Sequence, residues 1–143
     1  GMRYVVSACL AGHFCRYDGR SHPCALVIRL VQSKLAVPLC PECLGGLETP
    51  RIPCECRDGR VISRDGRDMT EFFAHGAAVA LELAKKEGCR AAILKSRSPS
   101  CGFGLIYDGS FRGTLCRGEG VWAALLRRAG FALFSEDNLP EGM

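Results

Sequence analysis

Short apolar runs recur along the chain, separated by stretches that repeat at helical spacing. Residues 4–8 include two valines and predict a first strand, and residues 35–39 predict a second buried strand that ends at Cys40. Residues 91–94 and 131–134 predict a third and a final strand. The chain therefore alternates strands with other elements from one end to the other.

Helical patterns fill the spaces between these strands. Residues 23–33 predict a helix with Pro23 in its first turn. Asp68 with Glu71 resembles a capping box, and it precedes apolar residues at helical spacing over 72–83, after which Gly88 predicts the helix end. Residues 120–129 predict a last helix.

The remaining segments carry turn signals. Residues 10–21 predict a loop after the first strand, and the glycines and prolines of 45–53 predict another loop. Residues 96–102 form a polar segment interrupted by proline. Asp108-Gly109, between an apolar run and Phe111, predicts a hairpin turn.

Strands that alternate with helices indicate an α/β fold: a single domain over residues 2–143, with a mostly parallel sheet and helices on both faces, as in a Rossmann-like three-layer sandwich. Gly1 is interpreted as an expression-tag remnant. Such sheets bind ligands at the carboxyl ends of their strands. Since Cys9, Cys40 and Cys101 each lie at or beyond such an end, we expect them to converge on one crevice.

Composition narrows the functional class. The net charge of +4 is modest and its basic residues are mixed with acidic ones, which disfavours polymeric nucleic acid as a partner. The sequence has no long apolar run typical of a signal peptide or membrane span, so we expect a cytoplasmic protein with no membrane partner. Ten cysteines in such a protein point to metal binding or catalysis, with the surplus acting as buried fillers or bystanders.

Three thiolates at one crevice suit a soft metal or a cuboidal iron-sulfur cluster. A cluster with three cysteine ligands keeps one iron open as a Lewis acid. Glu42 lies two residues after Cys40, and Ser98 and Ser100 precede Cys101. A carboxylate and a hydroxyl at such a site are suited to activating water and guiding protons.

Other interpretations of the cysteines stay open on spacing alone. Cys40 and Cys43 form a C-x-x-C pair, typical of half a zinc site or of a redox dithiol, but no second pair or nearby histidine completes it. Cys54 and Cys56 are too close for ordinary tetrahedral spacing and are interpreted as part of a surface loop. Cluster, zinc and structural thiols are nearly evenly matched at this point.

A resemblance separates these alternatives. A series of motifs occurs in order along nearly the whole chain: Val6-Ser7-Ala8-Cys9-Leu10-Ala11-Gly12, Cys15-Arg16-Tyr17-Asp18-Gly19, Cys40-Pro41-Glu42 with Gly45-Gly46-Leu47, Thr49-Pro50-Arg51, Ser98-Pro99-Ser100-Cys101-Gly102, Ile106-Tyr107-Asp108-Gly109 and Gly118-Glu119-Gly120-Val121. Together they resemble the thiouracil desulfurase (TudS) family, formerly a domain of unknown function.

The resemblance implies a desulfurase with a [4Fe-4S] cluster on three cysteines, which map best to Cys9, Cys40 and Cys101. It implies a small thio-pyrimidine substrate of the 2- or 4-thiouracil type, whose sulfur is captured on the open iron and replaced by water oxygen without net redox change. Glu42 matches the family glutamate, and the assisting serine is Ser98 or Ser100, with a slight preference for Ser98. Cys15 belongs to the family pattern and is a possible further ligand, interpreted here as lying behind the ligands or serving cluster assembly. The alternative is a zinc- or cluster-binding sensor without catalysis.

Overall fold

Four short parallel strands form the central sheet of the computed structural model, which describes residues 2–142. Gly1, interpreted above as a tag remnant, and Met143 lie outside the described residues. In chain order the elements are β1 (Tyr4–Ser7), a 3₁₀ turn (Ala8–Ala11), α1 (Ala25–Gln32), β2 (Ala36–Leu39), α2 (Pro41–Leu44), β3 (Cys54–Arg57), β4 (Arg60–Ser63), α3 (Thr70–Lys86), β5 (Ala91–Leu94), β6 (Phe103–Tyr107), β7 (Leu115–Glu119), α4 (Val121–Arg128) and β8 (Ala132–Ser135).

The sheet has the strand order β2-β1-β5-β8, and every neighbouring pair is parallel. Side chains alternate between the two faces of a strand. On β1, Val6 packs with Val27 and Leu30 of α1, whereas Val5 packs in the core that contains Ala77 of α3 and Leu126 of α4. Helices therefore cover both faces, and the predicted α/β three-layer architecture is confirmed.

Most predicted elements are present, with shifted ends. The long helix spans Thr70–Lys86, and Gly88 follows it with a φ of +75°. The first helix begins at Ala25, so Pro23 lies before the helix and not in its first turn. The prediction of a capping box formed by Asp68 and Glu71 was wrong. The residue at the N-cap is Met69, and the Asp68 carboxylate accepts hydrogen bonds from the backbone N–H and the hydroxyl of Thr70.

Two antiparallel hairpins stand apart from the central sheet. The pair β3–β4 turns at Asp58-Gly59, in a segment whose Cys54-Glu55-Cys56 part was interpreted as a surface loop. That interpretation was wrong, since Cys54–Arg57 forms β3. Both strands have four residues and carry charged positions, and β3 has no fully buried residue, so no apolar alternation marks the pair. In the pair β6–β7 the return strand begins at Leu115 and not near Phe111, since residues 108–114 form a longer loop.

The short helix α2 lacks an apolar pattern that would predict it from the sequence, and it packs on α3 by close backbone contact. A Cβ atom on Gly76 would lie 1.8 Å from the carbonyl oxygen of Pro41, and one on Gly45 would lie 2.2 Å from that of Phe72. Glycine is required where two backbones approach this closely. This contact sets the position of Pro41 and hence of its neighbours Cys40 and Glu42.

No helix within residues 2–142 is long and apolar enough to cross a membrane.

Gly76→Ala is expected to destabilise the protein by about 3 kcal/mol, since the new methyl group overlaps a backbone carbonyl that cannot rotate away. A melting temperature lower by about 5 to 10 °C would record this loss. Ala78→Gly, at an exposed position of the same helix, is the matched control and should cost only about 1 kcal/mol. Helix propensity alone predicts that Gly76→Ala is the more stable of the two variants. A Gly76→Ala variant that is more stable than the wild type would therefore contradict the close contact between Gly76 and Pro41.

Candidate functional site

A cavity of about 380 Å³ opens at the carboxyl edge of the central sheet. The chain leaves β1 towards β2 on one side, whereas β5 has β8 on its other side, so the crevice between β1 and β5 is a topological switch point. The backbone N–H of Lys95 donates to Ser7 Oγ at 2.9 Å and joins the two strands there. The cavity therefore lies where parallel sheets ordinarily bind ligands.

The three predicted cysteines all line this cavity. Cys9 lies in the 3₁₀ turn after β1, Cys40 lies between β2 and α2, and Cys101 lies in the loop that follows β5. Cys9 and Cys101 are buried and Cys40 is partly buried. Cys15 lines the same cavity from the loop before α1. The structure thus brings together the residues that the strand pattern placed at one edge.

The start of α4 determines where Cys101 lies. The first N–H groups of a helix have no partner within the helix. Here Val121 donates to the carbonyl oxygen of Pro99 and Trp122 to that of Ser100, both at 2.9 Å. A Cβ atom on Gly120 would lie 2.5 Å from the Ser100 carbonyl oxygen, so the loop and the helix end fit tightly. The loop that carries Cys101 serves as the cap of α4.

Burial and neighbouring thiols keep Cys15, Cys40 and Cys101 protonated in the metal-free protein. Burial raises the pKa of Cys101, and the hydrogen bond to the Cys15 thiol, together with burial, raises the pKa of Cys40. The Cys40 thiol lowers the pKa of Cys15, but the Cys9 thiol and burial outweigh it and raise the pKa to about 12. A metal that binds these sulfurs must displace their protons.

Glu42 is held by two side chains at the cavity wall. Its Oε1 accepts from Arg51 Nε at 3.0 Å, and its Oε2 accepts from Ser100 Oγ at 2.7 Å. Arg51 Nη2 also donates to the carbonyl oxygen of Cys15 at 2.7 Å. Both carboxylate oxygens of Glu42 are therefore engaged by side chains.

The two predicted serines occupy different places. Ser98 lines the cavity, and its Oγ accepts from the backbone N–H of Cys101 at 2.7 Å. Ser100 is almost fully buried and donates to Glu42. Ser98 therefore faces the cavity, whereas Ser100 orients the carboxylate from behind.

Several residues of the cavity were not singled out from the sequence. Arg51 was noted only within a motif, although it contacts Glu42 and the Cys15 loop. Lys95 lies at the switch point, and Glu55 lines the cavity from β3. The sequence around a charged residue in a short loop does not indicate which residue its side chain contacts. Strand order was the one feature that could have identified Lys95, because this residue directly follows β5.

Thiols from separate parts of the chain line the cavity. Within residues 2–142, no three His, Cys, Asp or Glu side chains are placed to hold a single metal ion. The Cys40–Cys43 pair accordingly forms no tetrahedral zinc site with other described residues. A cuboidal cluster takes one protein ligand at each iron, so soft sulfur ligands distributed over a cavity wall fit such a group.

Comparison with known proteins finds one matching family model, a similar sequence and a similar solved structure. The family model described as 2-thiouracil desulfurase matches residues 4–138. The uncharacterized protein YbbK of Bacillus subtilis strain 168 is 43% identical over 145 residues, which cover 94% of this chain and 96% of YbbK. A solved structure described as the [4Fe-4S]-dependent thiouracil desulfidase TudS is similar with a TM-score of 0.93 and 46% identity, covering 99% of this chain and 95% of that one.

Cys56, whose thiol donates to the carbonyl oxygen of the cavity-lining residue Pro99, gives a test of how burial shifts the pKa of a thiol next to the cavity. Burial raises the pKa of this thiol to about 11 from 9.0, so its neutral form stabilises the fold up to pH 9 and that contribution is lost as the pH approaches 11. The difference in unfolding free energy between the wild type and Cys56→Ala should shrink by about 1 kcal/mol from pH 8 to pH 10. Urea unfolding of metal-free, reduced protein measures it, and a constant difference would contradict the shift.

Proposed function

Since the chain belongs to the 2-thiouracil desulfurase family, we propose that Cys9, Cys40 and Cys101 hold a [4Fe-4S] cluster in the cavity, beside which Glu42 assists desulfuration. The protein is a desulfidase that acts on thiouracil, and its cofactor is an iron-sulfur cluster. The observation that carries the ligand assignment is that three thiols from three separate strand ends line one cavity together with a carboxylate.

The overall reaction replaces the sulfur of a thiocarbonyl group by the oxygen of water and releases hydrogen sulfide, so no net electron transfer is needed. When bound to three thiolates, a [4Fe-4S] cluster supplies one iron without a protein ligand, a Lewis acid for sulfur. The protein must then supply the rest: it must position the pyrimidine, place a water molecule and move its protons.

Glu42 is the group we assign to proton movement. Its carboxylate lines the cavity and is fixed by Arg51 and Ser100, which leaves it in one orientation. A general base must lie within hydrogen-bonding reach of the proton that it removes, and fixed geometry lowers the cost of reaching that arrangement. We infer that Glu42 accepts a proton from the attacking water and returns it to the departing sulfur.

Ser98 and Ser100 support this step in different ways. The Ser98 hydroxyl faces the cavity and accepts from Cys101 N–H, so its own O–H is able to donate to water or substrate. Ser100 acts through Glu42, because its hydroxyl already donates a hydrogen bond to the carboxylate. We therefore assign Ser98 a contact with the reacting atoms and Ser100 a positioning role.

Cys15 stays outside the proposed ligand set. A fourth protein thiolate would occupy the iron that the reaction needs open. Its carbonyl oxygen accepts from Arg51, and its thiol contacts Cys9 and Cys40, so it supports the ligands from the loop before α1.

The alternative of a zinc- or cluster-binding sensor is not favoured by the family match. Two statements stay predictions: that polymeric nucleic acid is not a partner of the protein, and that the protein is cytoplasmic.

Cys9→Ser, Cys40→Ser and Cys101→Ser are each expected to abolish cluster binding, since a hydroxyl group is a poor replacement for a soft thiolate. Iron and acid-labile sulfide measured after anaerobic reconstitution give the readout, and a loaded wild type should be brown. Cys116→Ser, at an exposed position on β7, is the control that should load normally. Full iron and activity in any of the first three variants would refute the ligand assignment, and complete loss in Cys15→Ser would favour a four-cysteine site.

Glu42→Gln is expected to keep its size and its place against Ser100 but to lose proton exchange. Turnover of thiouracil should fall by roughly a hundredfold or more while iron loading stays normal. Ser100→Ala should cause a smaller loss than Ser98→Ala, because Arg51 still holds the carboxylate. Near-normal turnover in Glu42→Gln would remove Glu42 from the mechanism.

A further inference from the structure

A partly buried ion pair at the cavity wall is not used by the mechanism above. Lys95 Nζ lies 3.0 Å from Glu136 Oε2, with 17% and 9% of the two side chains exposed. Lys95 lines the cavity, and Glu136 follows β8, the edge strand beside β5. Lysine and glutamate are rarely buried unless they are paired, and a buried pair is often no more stable than apolar residues of similar size. Stability alone is therefore a weak reason for this pair.

Hydrogen bonds hold this pair firmly in place. Glu136 Oε1 accepts from the backbone N–H of Ser96 at 2.7 Å, and Oε2 accepts from the Ser96 hydroxyl at 2.9 Å. At the other end, the Lys95 backbone N–H donates to Ser7 Oγ, and Ser7 is also hydrogen-bonded to the Cys101 thiol. Lys95 is thus fixed at the switch point, one side chain away from a proposed cluster ligand.

The ammonium group has one donor to spare. It carries three N–H donors, of which one faces Glu136 and another lies 3.2 Å from the carbonyl oxygen of Ser96. No third acceptor for it exists among residues 2–142. Since Lys95 lines the cavity, a ligand there can supply the missing acceptor.

Other cations of the cavity wall are less suited to this role. The guanidinium of Arg51 already donates to Glu42, to the carbonyl oxygens of Glu48 and Cys15, and to Thr49. Arg64 lies over the Phe111 ring, 5.7 Å from its centroid, and Arg97 is exposed. Arg16 also lines the cavity and is partly buried, but no side-chain hydrogen bond or ion pair to another described residue fixes its guanidinium. Lys95 combines partial burial, a fixed position and a free donor.

We propose that Lys95 binds the exocyclic oxygen that the pyrimidine keeps, and that Glu136 positions Lys95 for this contact. The inference rests on the proposed function, because a thiouracil carries one exocyclic sulfur, which is replaced, and one exocyclic oxygen, which is retained. A charged donor at the oxygen fixes the ring so that the sulfur points away from it. Lys95 then selects thio-pyrimidines that carry an exocyclic oxygen over those without one.

Two product-like inhibitors of 2-thiouracil turnover test this contact in reconstituted protein. Uracil carries the retained oxygen at C4, and pyrimidin-2-one lacks it. In the wild type, uracil should have the lower inhibition constant, by on the order of tenfold to a hundredfold for a hydrogen bond to a charged group. In Lys95→Met the two constants should become nearly equal, chiefly because uracil binds more weakly.

Glu136→Gln should reduce the same ratio and raise KM more than it lowers kcat, since the ammonium is no longer fixed. Lys85→Met, which removes the exposed pair with Glu82, is the matched control and should leave the ratio unchanged. If Lys95→Met fails to fold by circular dichroism, Glu136→Gln carries the test. The assignment of Lys95 would be overturned if the two inhibition constants were nearly equal in the wild type, or if both variants kept the wild-type ratio of these constants. A wild type that loads a cluster but does not convert thiouracil would overturn the proposed function instead.

Discussion

The carboxylate of Glu42 joins the three chain segments that form the site. Through Arg51 it is linked to the loop of Cys15, through its own helix to Cys40, and through Ser100 to the loop of Cys101. These segments come from distant parts of the sequence and have few other polar contacts with one another. A partly buried carboxylate that lost either partner would be left with an unpaired oxygen, which is costly. The network is therefore held as a unit.

Backbone contacts give that network a rigid frame. The carbonyl oxygen of Pro41 lies against Gly76 of α3, and the Ser100 carbonyl lies against Gly120 at the start of α4. Both helices belong to the layer on one face of the sheet, where Ala77, Ala80, Ala84, Ala123 and Trp122 are fully buried. Rigid elements hold functional groups more accurately than free loops do. The loops that carry Cys40 and Cys101 gain that accuracy by packing directly on helices.

The cavity is lined both by thiols and by charged groups. Cys9, Cys40 and Cys101 line it together with Glu42 and Lys95, which directly follows β5. A ligand that binds a soft metal through sulfur and a charged donor through oxygen would use both kinds of group. The antiparallel hairpins add a further boundary, since Glu55 of β3 accepts from the backbone N–H groups of Gly109 and Phe111 at 3.0 and 3.1 Å.

The sequence by itself determined the parallel sheet and the long helix over Thr70–Lys86. It also determined that Cys9, Cys40 and Cys101 converge. Apolar periodicity and strand ends are set by residues that are close together in the sequence, so they can be recognised without the fold. Only the tertiary structure decided that Ser100, and not Ser98, donates to Glu42, and that β3 and β4 form a hairpin. Partners far apart in sequence, such as Lys95 and Glu136, leave no periodic signal. Their pairing depends on strand order and on the burial of charge, which exist only once the chain has folded.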